Sequence, residues 1–155
     1  MKWIKTALLI LLTGIFLANC GSDNAVILSL PDYQNREFYT EGEFQDYTDY
    51  GIYTYLDFDE TILMQNPYFE KITDTQAVLS YLENFEGWVA LCPEDSELAI
   101  HYDFDDRQID EQDYIYIDTK EGQPIGSSAY GKFDNYDIYF FDTDTWMLYY
   151  FHSNI

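Results

Sequence analysis

Val78, Tyr81, Leu82 and Phe85 stand at i, i+3, i+4 and i+7, the spacing that gathers apolar side chains onto one stripe of a helix. The pattern predicts a helix over about residues 74–86. Thr73 and Gln76 have the spacing of a capping box, and Ile72 and Ala77 that of a hydrophobic staple, which together place its start. Gly87 is a natural stop, because glycine takes up the left-handed conformation that ends helices. Elsewhere the period falls to two. Leu98, Ile100, Tyr102 and Phe104 alternate with His101 and Asp103, the signature of a half-buried strand. Further strands are predicted at 52–56, 88–92, 113–118, 136–141 and 146–151, from their β-branched and aromatic residues.

The connections carry turn chemistry. Asn66-Pro67 marks a turn or a short helix start, Lys120-Glu121-Gly122 is polar, and Asp142-Thr143-Asp144-Thr145 joins two aromatic runs at hairpin length. A helix followed by a run of strands is an α+β layout: one amphipathic helix packed on an antiparallel, aromatic-rich sheet. No period of 20–50 residues is present, which excludes solenoids and propellers. From Gly21 to about Tyr50 the apolar residues are scattered and Glu41, Glu43, Asp46 and Asp49 accumulate. That stretch reads as a self-repelling tether with at most one early strand.

The first residues follow a different pattern. Lys2 and Lys5 precede an apolar run from Ala7 to Ala18, and Cys20 follows. The run is about twelve residues, well short of the roughly 20 that span a bilayer, so it reads as the core of an export signal. Leu17-Ala18-Asn19-Cys20 resembles the lipobox of bacterial lipoproteins, with Asn19 where that motif usually has Gly, Ala or Ser. The resemblance implies diacylglycerol on Cys20, cleavage before it, and an extracytoplasmic protein anchored to a membrane through lipid. The implied organisation is a signal peptide at 1–19, a lipidated N-terminus and acidic tether at 20–50, and a single α+β domain at 51–155. Cys92 is then left without an intrachain disulfide partner and reads as a small buried hydrophobe. The C-terminal run Tyr149-Tyr150-Phe151-His152-Ser153-Asn154-Ile155, with Asp134-Asn135-Tyr136-Asp137-Ile138-Tyr139 before it, loosely resembles that of small uncharacterised proteins of low-GC Gram-positive bacteria.

Charge narrows the partners. The chain carries 29 acidic and seven basic side chains, a formal charge of -22; without residues 1–19 five basic residues remain and the charge is -24. Such a body repels phosphate backbones and anionic lipid headgroups, which bind through Lys and Arg clusters. Nucleic acid is excluded as a partner, while a protein or carbohydrate remains open. Aromatics make up 19% of the residues, a composition that folds and that also suits binding faces.

Three Asp-x-Asp pairs, Asp57/Asp59, Asp103/Asp105 and Asp142/Asp144, are weak calcium candidates, since calcium takes several loop oxygens. Arg107 and Gln108 occupy positions where an EF-hand would need Asp or Asn and then Gly, so no known loop is matched. No metal ligand set and no cofactor is assigned. His101 and His152 lie far apart, and no HExxH, CxxC or GxSxG pattern occurs. No catalytic residue is singled out. The sequence therefore points to a lipid-anchored extracytoplasmic binding or interaction module. A carboxylate-dependent hydrolase, needing two acids across a cleft, and a structural envelope protein without a small ligand are the alternatives.

Overall fold

The computed structural model describes residues 24–43, 46–119 and 135–154, apart from the Glu43 side chain. The lipobox cysteine Cys20, the signal segment 1–19 and the turn Lys120-Glu121-Gly122 lie outside the described residues. The chain divides into two compact units, 1–31 and 32–155. In the first, a single turn of helix, α1 (Ala25–Leu28), starts at Asn24, whose Oδ1 accepts from the backbone N–H of Val26 and Ile27, both at 3.2 Å.

Among the described residues the second unit is built on six antiparallel strands: β1 (Asn35–Glu43), β2 (Asp46–Thr54), β3 (Glu70–Lys71), β4 (Tyr114–Thr119), β5 (Asn135–Asp142) and β6 (Met147–Asn154). They lie in the order β1-β2-β6-β5-β4-β3. The helices are α2 (Thr61–Gln65), α3 (Thr75–Val89) and α4 (Glu97–His101), with a 3-10 turn at Asp106–Gln108. The fold is α+β. Among the described residues no helix is long and apolar enough to cross a membrane.

Two hairpins explain the sheet's register. β1 pairs with β2 from Asn35 opposite Thr54 to Glu43 opposite Asp46. Gly42, at φ +120°, sits where a Cβ would lie 2.2 Å from the Asp46 carbonyl oxygen, so only glycine fits there. Between β5 and β6 the buried Asp142 carboxylate ties the turn. Oδ1 accepts from the N–H of Asp144 (2.8 Å) and Thr145 (3.2 Å), and Oδ2 accepts from the Thr145 hydroxyl (2.7 Å).

Because side chains alternate across a sheet, one face presents Tyr50 and Ile52 of β2, Ile115 of β4, Tyr136, Ile138 and Phe140 of β5, and Tyr149 and Phe151 of β6. These join Val78, Leu82 and Phe85 of α3, Leu98 and Phe104 in one core. Fully burying a Val, Leu or Phe side chain contributes about 1.5–3 kcal/mol, so the stripe on α3 holds the helix to the sheet.

Several expectations are corrected here. α3 is capped by Asp74, not Thr73: Asp74 Oδ1 accepts from the Ala77 N–H at 3.1 Å. The helix runs through Gly87 to Val89, so Gly87 does not end it and 88–92 forms the helix end and a turn, not a strand. The segment 98–104 is also no strand. Ser96 Oγ accepts from the Ala99 N–H at 3.1 Å and starts α4, which buries Leu98 and leaves Ile100 59% exposed. Residues 35–43 and 46–50 are not tether: they form β1 and the first half of β2. Asn66 closes α2, its N–H bonding to the Leu63 carbonyl.

Candidate binding face

The sheet's second face, away from the α3 stripe, is patterned in rows that follow directly from the register. One row runs Thr40, Asp49, His152, Asp137, Asp118 across β1, β2, β6, β5 and β4; the next runs Phe38, Gly51, Tyr150, Tyr139, Tyr116. A polar, acid-rich line thus lies one step from an aromatic line.

The aromatic row is continuous. Phe38 stacks on Tyr150 at 6.1 Å, Tyr150 lies 5.0 Å from Tyr139, Tyr139 stacks with Tyr116 at 5.8 Å, and Tyr68 meets Tyr116 edge-on at 5.3 Å. Gly51 makes the first of these contacts fit: a Cβ there would stand 3.0 Å from Phe38 Cδ2. Phe38 is 37% exposed, Tyr68, Tyr116 and Tyr150 are half-buried, and Tyr139 is buried. Arg36 covers the outer end, its guanidinium 4.7 Å from the Phe38 ring centroid and 5.5 Å from that of Tyr53, at cation–π range.

The polar row centres on His152. Asp137 Oδ1 lies 2.8 Å from its Nδ1 and accepts from the Tyr150 hydroxyl at 2.6 Å. One carboxylate oxygen of Asp137 thus meets both the Tyr150 hydroxyl and the His152 ring. Nε2 of that ring is buried without a hydrogen-bond partner, and so is Oδ1 of Asp49 on the opposite strand. Burial raises the Asp49 pKa; the Thr40 hydroxyl bond and the neighbouring His152 act against that, and Asp137 adds to it. Burial likewise raises Tyr47, with Asp49 and Asp137 adding to it, and its ring lies 4.8 Å from that of His152.

An Asp that orients a His is the arrangement of a general-base pair. Here Nε2 is closed to solvent and the hydroxyl bonded to the carboxylate is that of Tyr150. The other carboxylates pushed upward by burial lie elsewhere. Asp113 anchors the β5–β6 turn, accepting from the Thr143 N–H at 2.9 Å, and Glu86 belongs to α3. No two of these three acids face each other across a cleft.

The remaining sequence candidates are dispersed. Asp57 sits at φ 55°, Asp59 starts α2 by accepting from the Thr61 N–H, and Asp103 accepts from the Tyr50 hydroxyl. Asp105 is held at about 2 by hydrogen bonds from Arg107, and Asp142 and Asp144 form the β5–β6 turn. Each pair serves its own turn or helix start. Among the described residues no group of three or more His, Cys, Asp or Glu could hold a metal ion. Cys92 is half-buried, its thiol donating to the Trp88 carbonyl at 3.5 Å and its pKa raised by burial and then by Glu41, which disfavours the thiolate. His101 is at the end of α4, stacked on Tyr39 at 4.5 Å and 3.4 Å from Glu97, and does not approach the His152 network.

Asp49, Asp137 and His152 were not singled out from the sequence, because 88 residues separate Asp49 from Asp137 and only the pairing of β2, β6 and β5 joins them. The available signal was the alternation Tyr47, Asp49, Gly51, Tyr53, which already defines one face of β2. The chain matches no protein-family model, no curated protein and no solved structure.

Proposed function

We propose that the protein is a binding module held at the outer surface of a bacterial membrane by lipid on Cys20, and that it engages its partner through the second face of the sheet. The observation carrying the binding reading is the pair of adjacent rows on that face, aromatic beside acidic, with Phe38 and Asp118 exposed at their ends. Rings supply contact area at low entropic cost, and acids supply specificity. The buried, unreachable Nε2 of His152 argues against the hydrolase alternative, since a general base must reach the proton it takes.

The address rests on the lipobox-like Leu17-Ala18-Asn19-Cys20. Two acyl chains suffice for stable anchoring without a transmembrane helix. Cys20→Ala is expected to abolish labelling with radioactive fatty acid and to shift the chain out of the membrane fraction; retention there without label would point to an uncleaved anchor. For the face, a photo-crosslinking amino acid at Phe38 in intact cells is expected to give a discrete adduct, and the same probe at Glu83, exposed on α3, none. Equal yields from both positions, or none from Phe38, would overturn the reading.

A further inference from the structure

We propose that a cleft on the first face of the sheet, between the end of α3 and the β1–β2 hairpin, is a site for a small quaternary ammonium ion of the choline type. The inference stands apart from the second face and does not depend on it.

The cleft follows from where two elements end. Trp88 lies one turn beyond the buried Phe85 on the same side of α3. The chain then turns, with the Leu91 N–H bonding to the Trp88 carbonyl at 3.0 Å and the Cys92 N–H to that of Val89 at 3.1 Å. Opposite, Glu41 pairs with Thr48, and Asp46 stands two residues before Thr48, so these three side chains share the face that carries Tyr50 and Ile52. Between the two elements is a space of about 180 Å³, walled by Trp88, Leu91, Cys92 and Pro93 on the helix side and by Glu41 and Asp46 on the hairpin side. The lining is mostly apolar, and Leu91 is 72% exposed. Tyr47 turns its ring to the other face, against His152, so Trp88 supplies the aromatic surface.

Three properties select the occupant. The space is well under the roughly 300–1,000 Å³ of pockets for drug-sized ligands, so it takes one small group. Burial and then the charge of Glu41 raise the Cys92 thiol's pKa, which sets that carboxylate beside the apolar wall, and a chain of charge -22 draws cations and repels anions. Hydration decides which cation. A primary ammonium carries three N–H donors that need acceptors, whereas Trp88, Leu91 and Pro93 offer apolar contact. A quaternary ammonium has no donor to satisfy and is held by the face of a tryptophan, with the carboxylates of Glu41 and Asp46 supplying the opposite charge. Acids alone would accept any cation; the apolar wall facing them is what selects this one.

The test uses the full chain in neutral detergent, with potassium chloride holding the ionic strength constant. The readout is the rate at which an uncharged maleimide alkylates Cys92, followed by peptide mass, as choline is added in increasing amounts. Choline is expected to protect the thiol saturably. The neutral alcohol in which a tert-butyl group replaces the trimethylammonium matches it in shape, and should need at least about a fivefold higher concentration for half protection. Glu41→Gln should raise the half-protecting concentration of choline at least about threefold, and Glu83→Gln on α3 should leave it unchanged. Comparing half-protecting concentrations removes any direct effect of Glu41 on thiol reactivity. Equal protection by choline and the alcohol, no saturable protection by choline, or the same half-protecting concentration in Glu41→Gln and Glu83→Gln would overturn the proposal. The Phe38 adduct is read on the opposite face, so neither result decides the other.

Discussion

At Asp49 burial and charge act in opposite directions. The carboxylate is taken largely out of water, which penalises its ionised form, while the Thr40 hydroxyl and His152 favour that form. Burial prevails and the folded-state pKa lies above the unfolded one. The stability this residue contributes is therefore present below the unfolded pKa and is lost as pH rises through the folded value. Asp49→Asn removes that loss and offers the buried face an amide N–H. The variant is expected to melt at a higher temperature than the parent near neutral pH, the difference closing toward about pH 3, below the ordinary carboxylate range. A lower melting temperature at neutral pH would mean the ionised carboxylate is needed beside His152. Asp142 shows the contrasting case of a buried acid satisfied by three local donors. Asp142→Ala leaves the N–H groups of Asp144 and Thr145 without that acceptor and is expected to cost about 1–3 kcal/mol in a denaturant titration.

At the scale of elements, α3 is the piece most fully written in the local sequence. Its stripe Val78, Leu82, Phe85 is buried as the period requires, and Val78→Asp would set an uncompensated charge against Ile72 and Leu82 in the core. Loss of the cooperative thermal transition is expected by circular dichroism; an unchanged melt would contradict the packing of α3 on the sheet. The ends of α3 were less legible. Asp74 and Thr73 are both good caps by type, and only the backbone geometry at Asp74 selects between them. Gly87 tolerates the helix it was expected to stop because Trp88 and Val89 continue it to the turn at Ala90. In 98–104 the alternation of apolar residues competed with the cap signal of Ser96 followed by Glu97. The cap prevailed because one turn of helix buries Leu98 and delivers Phe104 into the aromatic cluster with Phe140, Tyr149 and Phe151.

For the whole molecule, the acids govern the response to ions. With a charge of -22, counter-ions relieve self-repulsion in the folded state. The Asp-x-Asp carboxylates are spread over separate turns, which favours screening over chelation. Calcium and magnesium at matched millimolar concentration are expected to raise the melting temperature of the full chain equally. A rise with calcium alone would restore the calcium candidates among Asp57, Asp59, Asp103, Asp105, Asp142 and Asp144, because specific binding to the folded state stabilises it by mass action.

What the chain determined by itself is whatever depends on neighbours within a few residues: the amphipathic period of α3, the later strands β4 to β6, the β5–β6 turn, and the α+β class that these imply. Tertiary structure alone decided that residues 35–43 and 46–50 join the sheet, because scattered apolar residues become a buried strand only when β6 pairs along β2. It also decided the face on which Thr40, Asp49, His152, Asp137 and Asp118 form a line. Register converts positions far apart in sequence into neighbours about 5 Å apart, and no local pattern of side chains encodes which strands will lie side by side.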